Sequence, residues 1–316
     1  MAAATTGPEM RAARFHEYGP PSVLVVDLVP RPEPKEGEVL IHVRSAGVNA
    51  IDWKLRAGYL KAYMPLELPA IPGLDVAGIV EAVGPGVTAF SVGDEVFGRG
   101  ASTYAEYAAG STATLTHIPD GVSFDQAAAL HVGGVVSWVG LFDVAQIEPG
   151  QRVLIQGGAG GVGSIAVQLA HWKGAHVIAT TSTDNVAFVQ LIGADEVVDY
   201  TKVAFEDVIH DVDVVFETVG GDVTARSWST LKPGGLMVVI AGMPDADAAT
   251  AHGVRVANVP QPAVTTPVLD ELAKLVASGD LVPQIGAAFA LEEAAQAQAA
   301  SETGHGRGRI VLLVSS

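Results

Sequence analysis

Apolar and polar residues alternate along the first third of the chain in the manner of half-buried β-strands. The clearest example is residues 38–48 (EVLIHVRSAGV), which follow a turn rich in proline, glutamate and glycine. Residues 76–87 (VAGIVEAVGPGV) and 93–100 (GDEVFGRG) continue the pattern, and their glycines place tight turns every few residues. The sequence therefore predicts a compact β-rich domain in this part of the chain.

The period changes after about Phe124. Alanine-rich segments of helical length now separate short runs of β-branched residues. These runs are residues 152–157, 176–181, 196–200, 212–220 and 236–242. Strands that alternate with helices predict a parallel sheet built from βαβ units.

The domain boundaries follow from these changes of period. We expect residues 1–9 to form a flexible tail and residues 125–265 to form the parallel-sheet domain. Two helices and a strand near the far end of the chain return the pattern to that of the first domain. Residues 10–124 and 266–316 are therefore predicted to form one β-rich domain.

Composition narrows the classes of partner. The chain has a formal net charge of −17 and no basic cluster, which argues against nucleic acid and anionic membranes. The longest apolar run, 127–142, is too short and too interrupted for a membrane-spanning helix, so it predicts a buried helix. Cysteine is absent, which excludes disulfides and thiolate zinc sites and fits a cytoplasmic location.

The most specific motif lies where a strand (RVLIQ) runs into GGAGGVG and then into a helix. Gly158, Gly160 and Gly163 have the G-x-G-x-x-G spacing of a Rossmann domain. The first glycine permits a tight turn, the second lets the backbone approach a pyrophosphate, and the third lets helix and strand pack closely. The helix N-terminus adds amides and a positive dipole end. The loop residues predicted to hold a dinucleotide are Gly158, Ala159, Gly160, Gly161, Val162 and Gly163.

The end of the next strand bears on the choice of dinucleotide. An NAD site usually has an acidic residue there, whereas this strand ends in hydroxyl residues that include Thr181 and Ser182. Hydroxyls can donate to a 2′-phosphate, which favours NADPH. NADH remains the alternative, because Asp184 follows closely and no arginine or lysine is nearby.

Seven motifs, in family order, run from about Met10 to Val314. They are SAGVNAIDWKLRAG, PGLDVAGIVEAVGPGV, VGDEVFG, STYAEY, GGAGGVGSIAVQLA, VFETVGG and GRGRIVL. With them the chain resembles the quinone oxidoreductase branch of the medium-chain dehydrogenase/reductase superfamily, close to the zeta-crystallin-like proteins and enone reductases. The resemblance implies an α/β protein with a GroES-like β-rich catalytic domain, formed by both ends of the chain, and a Rossmann domain with a doubly wound parallel sheet.

The resemblance also implies chemistry without a metal. Zinc-dependent relatives place a cysteine where Asn49 stands and a histidine where Leu74 stands, and these two side chains cannot form a catalytic zinc site. Hydride addition to an electron-poor C=C bond or a quinone needs little acid assistance, because the cofactor carries the difficult step.

For the cofactor, family members that bind NADPH commonly hold its 2′-phosphate with a serine, a lysine and a tyrosine. Ser182 and Tyr200 match the serine and the tyrosine, whereas Asn185 stands at the lysine position and predicts a looser hold. Further positions implied to line the nicotinamide are Val219, Ile240, Ala241 and Gly242.

Four candidate catalytic residues follow the first long strand. Asn49 either hydrogen-bonds a substrate carbonyl or the ribose, or stabilises a turn. Asp52 either orients Lys54 or braces the loop. The resemblance implies that Lys54 contacts the substrate carbonyl and the cofactor ribose and would stabilise an enolate; a solvated lysine is the alternative. Tyr59 is either a proton donor or a packed aromatic. His131 is interpreted as a satisfied core histidine.

The sequence therefore predicts a zinc-independent, NADPH-dependent oxidoreductase that passes hydride to a quinone or an α,β-unsaturated carbonyl compound. One alternative is an enoyl-thioester reductase, although no basic docking patch for an acyl carrier is visible. The other is a non-catalytic NADPH-binding protein. The resemblance and the apolar segment 254–264 also predict a homodimer through the Rossmann domain.

Overall fold

The computed structural model describes residues 8–260 and 266–315. Its strands are β1 (Glu9–Phe15), β2 (Leu24–Pro30), β3 (Glu38–Val48), β4 (Asp75–Val83), β5 (Glu95–Ala101), β6 (Tyr107–His117), β7 (Arg152–Ile155), β8 (His176–Thr181), β9 (Glu196–Asp199), β10 (Val212–Glu217), β11 (Leu231–Val239), β12 (Arg255–Asn258), β13 (Ile285–Ala290) and β14 (Arg309–Leu313). Its α-helices are α1 (Ala50–Arg56), α2 (Phe124–Ala128), α3 (His131–Trp138), α4 (Gly163–Trp172), α5 (Val186–Leu191), α6 (Asp222–Ser227), α7 (Ala246–Ala251), α8 (Thr266–Ser278) and α9 (Ala294–Glu302).

Contacts divide the chain into two compact units. The first unit comprises residues 1–132, 264–277 and 283–316, and the second comprises residues 133–263 and 278–282. The first unit extends beyond Phe124 because α2 packs against β3 and β4. Most of the predicted tail lies outside the described residues, and β1 already begins at Glu9.

The first unit is built around a mixed sheet that curls on itself and is antiparallel except where β13 pairs with β14. Its strand order is β13-β14-β3-β4-β5-β6, and β3 pairs with β6 as well as with β4. β1 and β2 form a separate antiparallel ribbon. Inside the sheet lies a buried core that includes Ile41, Val43, Val76, Val80 and Leu115.

The second unit contains a parallel sheet with the strand order β12-β11-β10-β7-β8-β9. β7 and β8 are almost wholly buried, as expected for parallel strands that are covered on both faces. The strand order reverses between β7 and β10, which is the switch point where doubly wound sheets bind ligands. The predicted α/β fold, with one β-rich and one parallel-sheet domain, is confirmed.

The apolar run 127–142 is not the single buried helix that the sequence predicts. α2 ends at Ala128, α3 begins at His131, and a π-helical turn follows at Val139–Val144. The Leu130 amide bonds the Ala127 carbonyl three residues back, which tightens the chain between the two helices. Within the described residues, no helix is long and apolar enough to cross a membrane.

The sequence analysis names no strand at the positions of β1, β2, β6, β12 and β13. β13 is largely exposed and has no apolar alternation to reveal it; it forms by parallel pairing with β14. β12 falls inside the predicted apolar segment and is the edge strand of the parallel sheet. Residues 261–264 of that segment lie outside the described residues.

Candidate functional site

In the first unit, pairing on both sides of β3 brings distant residues together. Asp75 on β4 lies opposite Gly47, and Ile310 on β14 lies opposite Val48. Asn49 directly follows β3, so the register places it beside both neighbouring strands. The result is a cluster of buried polar side chains assembled from four separate parts of the chain.

Arg309 is the centre of this cluster and is only 5% exposed. Its Nη2 donates to Oδ1 of Asn49 at 2.7 Å and to Oδ2 of Asp75 at 2.6 Å. The other oxygen of Asp75 lies 2.7 Å from Nδ1 of His131. A buried carboxylate is stable only when it is paired and hydrogen-bonded, and Asp75 meets both conditions.

Several buried nitrogens of the cluster have no hydrogen-bond partner in the part of the chain that the structure describes. They are Nδ2 of Asn49, Nε2 of His131 and Nε of Arg309. His131 is therefore buried, as predicted, but only one of its two ring nitrogens is satisfied. Unpaired buried polar groups are uncommon in native proteins, and a ligand is one way to satisfy them.

Asp52 braces the start of α1. Its Oδ2 accepts from the Asn49 backbone N–H at 2.8 Å and from the Tyr104 hydroxyl at 3.0 Å. Burial, helped by the neighbouring charge of Asp75, raises the pKa of Asp52 to about 7, although the two hydrogen bonds act to lower it. Burial also raises the pKa of the Tyr104 hydroxyl. These contacts fit the alternative in which Asp52 braces the loop rather than the one in which it orients Lys54.

Lys54 and Tyr59 differ from the buried residues. Lys54 is half-buried, and its Nζ lies 5.6 Å from the centre of the Trp53 ring. Tyr59 is 69% exposed, and its ring packs edge-on against Trp53 with 5.9 Å between ring centres. The four candidates thus separate into the buried pair of Asn49 and Asp52 and a pair that lies nearer the surface.

In the second unit, the glycine loop joins β7 to α4. The sequence analysis assigns the tight turn to Gly158. The left-handed residue is instead Gly157, one position earlier, with a φ of +69°. Gly158 is instead needed for packing, because a Cβ there would lie 2.8 Å from the Ala179 Cβ on β8. A Cβ on Gly163 would lie 2.1 Å from the Gly157 carbonyl oxygen, so the turn and the helix meet too closely for a side chain.

Gly160 has a different environment from its neighbours. A Cβ there would have only the Gly157 carbonyl oxygen within 4 Å, at 3.3 Å, so the backbone is open on the other side. α4 begins at Gly163 with no side chain bonded to its N-terminus. The Gly158 and Gly160 amides already donate to the carbonyls of Thr180 and Gly157, so the positive helix end and the open backbone at Gly160 are the features that fit the pyrophosphate of a dinucleotide. The loop residues that would hold it are Gly158, Ala159, Gly160, Gly161, Val162 and Gly163.

The other predicted cofactor positions follow neighbouring parallel strands at the same edge of the sheet. Val219 follows β10, and Ile240 follows β11, where its amide donates to the Glu217 carbonyl at 2.8 Å. Ala241 and Gly242 come next along the chain. The Glu217 carboxylate, which the sequence analysis does not name, is fully buried and accepts from the Val219 amide at 2.7 Å. It holds this turn in place.

Hydroxyl groups gather at the ends of β8 and β9. Thr181 is paired with Asp199, and the Tyr200 amide donates to the Thr181 carbonyl at 3.1 Å. Asn185 donates through Nδ2 to the Ser182 hydroxyl at 3.2 Å. The predicted 2′-phosphate residues Ser182, Asn185 and Tyr200 therefore lie on the two strand ends that this register aligns.

Asp199 adds a negative charge at these strand ends. Its carboxylate accepts from the hydroxyls of Thr183 and Thr201, and Lys202 lies 3.1 Å away. The hydrogen bond from Thr183, followed by that from Thr201, holds the pKa of Asp199 well below its usual range. This carboxylate opposes a phosphate, whereas Lys202 is a cation that the sequence analysis does not consider.

Zinc does not fit the cluster of the first unit. Leu74 offers no ligand atom, and Oδ1 of Asn49 is already bonded to the Arg309 guanidinium. A permanent buried cation at that oxygen would repel a metal ion. No group of three or more histidine, aspartate or glutamate side chains in the described ranges could hold a metal.

Asp75 and Arg309 are functional candidates that the sequence analysis does not single out. Both lie inside quoted motifs, PGLDVAG and GRGRIVL, at the first residue of strands that are largely apolar. A charged residue at the start of each of two apolar strands is the available signal. Their pairing depends on the sheet register, which motif spacing does not reveal.

Comparison with known proteins agrees with this architecture. Residues 35–120 match the alcohol dehydrogenase GroES-like domain family, and residues 192–312 match the zinc-binding dehydrogenase family. The 2-methylene-furan-3-one reductase of Solanum lycopersicum is 36% identical over 96% of this chain and 79% of its own length. The NADPH-dependent alkenal/one oxidoreductase of Arabidopsis thaliana is 35% identical with the same coverage.

A solved structure extends the likeness over the whole fold. The quinone oxidoreductase from Coxiella burnetii is 34% identical to this chain and superimposes with a TM-score of 0.90. The match covers 98% of this chain and 100% of that protein. The identity, the coverage and the ordered motifs agree, and the chain belongs to the quinone oxidoreductase branch of the medium-chain dehydrogenase/reductase superfamily.

Proposed function

We propose that this protein transfers hydride from NADPH to a quinone or an α,β-unsaturated carbonyl compound without the aid of a metal. The observation that carries the proposal is the Asn49 amide, held by Arg309 at the position where zinc-dependent relatives have a cysteine ligand. The NH₂ group of Asn49, a hydrogen-bond donor, would take the place of the zinc ion that acts as a Lewis acid in those relatives. The similarity to an NADPH-dependent alkenal/one oxidoreductase and to a quinone oxidoreductase supports the same chemistry.

NADPH supplies the hydride when bound. The glycine loop and the N-terminus of α4 would hold its pyrophosphate, and the Ser182 and Tyr200 hydroxyls would hold its 2′-phosphate. Asn49 and Lys54 act at the substrate oxygen, where negative charge collects as hydride reaches the β-carbon of an enone. Asp52 keeps the start of α1 in place, and the exposed Tyr59 phenol is the proposed proton donor to the product.

The direct test measures NADPH and NADH oxidation against quinones, enones and enoyl-CoA thioesters. We expect quinones or enones to be turned over and NADPH to be preferred. Preferred turnover of enoyl thioesters would favour the alternative reductase. NADPH binding without turnover of any acceptor would favour a non-catalytic binding protein.

The Lys54→Met variant separates a substrate role from a surface role. It keeps most of the aliphatic stem and removes the charge, so NADPH binding should change little. Enone turnover should fall about a hundredfold, because a lost oxyanion donor costs about 2.7–4 kcal/mol. A strongly oxidising quinone should lose much less. Small and equal losses of turnover with both substrates would indicate that Lys54 is a solvated surface residue. Weakened NADPH binding would indicate that it contacts the cofactor.

We also propose that the protein is a homodimer in the cytoplasm. The exposed edge strand β12 in the second unit supports pairing with a second copy, and the absence of cysteine fits a reducing compartment. Sedimentation at micromolar concentration tests the dimer, and a monomer there would contradict it.

A further inference from the structure

We infer that Arg309 fixes the Asn49 amide so that its NH₂ group faces the substrate, and that this group receives a carbonyl oxygen. The inference rests on the proposed function and deepens it. It gives Arg309, Asp75 and His131 the role of positioning residues, which act through Asn49 and do not touch the substrate.

The orientation of the amide follows from the chemistry of its partner. A guanidinium has five N–H donors and no acceptor, so the Asn49 atom that faces it must be the carbonyl oxygen. The Arg309 Nη2 lies 2.7 Å from this oxygen. A flipped amide would set donor against donor. The NH₂ end of Asn49 is therefore turned away from Arg309.

Arg309 is itself held in one position. The two hydrogens of its Nη2 are directed to Asn49 and to Asp75, and the second oxygen of Asp75 lies against His131. All four side chains are at most 5% exposed, so bulk water does not compete for these bonds. Three consecutive contacts thus fix the direction in which the amide points.

What remains is a buried donor without a partner. The Asn49 Nδ2 has no acceptor in the described part of the chain, and leaving such a group unpaired costs about 1–3 kcal/mol. An NH₂ group can only donate, so the atom that completes this site must be an acceptor. Carbonyl oxygens of quinones, enones and enals fit this requirement, whereas an ammonium group does not.

The same geometry favours the reduced oxygen over the substrate oxygen. As the electron pair of the hydride forms a new C–H bond with the conjugated system, the displaced π electrons move onto the carbonyl oxygen, and the acceptor becomes an enolate or a hydroquinone anion. A bond from a neutral donor to an anionic oxygen is stronger than one to a carbonyl. A donor that is already fixed in place gains this strength without reorganisation. A proton then completes the product.

The Asn49→Asp variant tests the direction of the amide. Aspartate can still accept from Arg309 and can still begin α1, but it presents a second acceptor where the NH₂ group was. At pH 8 we expect kcat/KM for an enone to fall about a hundredfold, with the Kd of NADPH unchanged within about twofold. Gln190→Glu, the same change of an amide to a carboxylate at an exposed position of α5, should keep wild-type kinetics.

A second variant covers the case in which the first fails to fold. Arg309→Lys keeps a cation for Asp75 but replaces the planar fork with a single point charge, so the amide is no longer held. We expect kcat/KM to fall about tenfold, mostly through kcat, because the donor is lost more from the transition state than from the substrate complex.

Infrared spectroscopy gives a readout that a merely structural role would not change. An enone with a ¹³C-labelled carbonyl, bound with NADP⁺, should show a carbonyl stretch shifted to lower frequency in the wild type and less shifted in both variants. An unchanged shift and unchanged kcat/KM in Asn49→Asp would overturn the inference. A shifted carbonyl in a wild type that reduces no acceptor would keep the inference and refute the proposed function.

Discussion

The two units provide their candidate binding groups in opposite ways. The second unit offers backbone amides and open glycine backbone from one continuous loop, with few charges. The first unit buries a carboxylate, a guanidinium and an imidazole that come from residues far apart in the chain. A backbone site depends on the absence of side chains, whereas a buried ionic cluster depends on the presence of every partner. The two units should therefore respond differently to substitution.

The largest effect is expected when the buried ion pair loses its cation. Arg309→Met removes the permanent cation beside the buried Asp75 carboxylate and leaves only the contact with His131, which should lower the free energy of unfolding by about 3–5 kcal/mol. Arg226→Met in the second unit breaks a half-exposed, bidentate pair with Glu206 and should cost less, about 1 kcal/mol. Urea unfolding of both variants checks this prediction, and equal losses would contradict it.

Asp52 should make stability depend on pH. Its folded pKa of about 7 lies above the usual 3.8, so the folded protein keeps a proton that the unfolded chain releases. The contribution of Asp52 to stability should therefore fall as pH rises from about 4 to 7, by up to about 4 kcal/mol. Asp52→Asn keeps an oxygen for both hydrogen bonds and removes the charge, so it should abolish this slope and stabilise the protein at pH 8.

Unfolding at pH 5 and pH 8 measures this difference. Asp222→Asn, whose side chain is 81% exposed, removes a charge from the surface and should leave the slope as in the wild type. A slope that survives in Asp52→Asn would assign the titration to another group.

The glycine loop gives the complementary test in the second unit. Gly160→Ala should leave the free protein stable, because the added Cβ meets only one atom at 3.3 Å, yet it should raise the Kd of NADPH at least tenfold by filling the open side. Gly163→Ala should reduce both stability and binding, because its Cβ would lie 2.1 Å from a backbone oxygen. Thermal unfolding and fluorescence titration separate the two; equal effects in both variants would refute the distinction.

The smallest effect concerns the 2′-phosphate. Asn185→Lys restores a cation between Ser182 and the following helix, and one charge-assisted contact contributes about 1.5–3 kcal/mol. The ratio of kcat/KM for NADPH over NADH should rise about tenfold or more. Because Asp199 stays ionised nearby, a smaller gain would show that this carboxylate draws the new lysine away, and an unchanged ratio would show that position 185 points elsewhere.

The pattern of apolar, polar and glycine residues within a segment correctly predicted the elements that depend on that segment alone. The strand-loop-helix at Gly158 and the long strand at residues 38–48 follow from spacing within one segment, and both are present. The broken helix after Ala128 did not follow, because apolar periodicity is the same in one helix as in two. Exposed β13 lacks alternation and is defined by its neighbour.

The buried cluster was beyond prediction for a different reason. Asn49 could be chosen from its motif, but its partners come from β4 and β14, and only the pairing of β3 with both strands brings them together. Whether the carbonyl oxygen or the NH₂ group of Asn49 has a partner depends on that pairing. The spacing of residues along the chain contains no information about it.

The separation between Asn49 and Arg309 also sets an order of assembly. They are 260 residues apart, and most of the second unit is encoded between them. On the ribosome, Asp75 emerges long before its guanidinium partner has been synthesised. The continuous segment of residues 133–263 can fold while the nascent first unit still waits for β14. The second unit therefore matures early, and the buried cluster of the first unit closes only after Arg309 has been added.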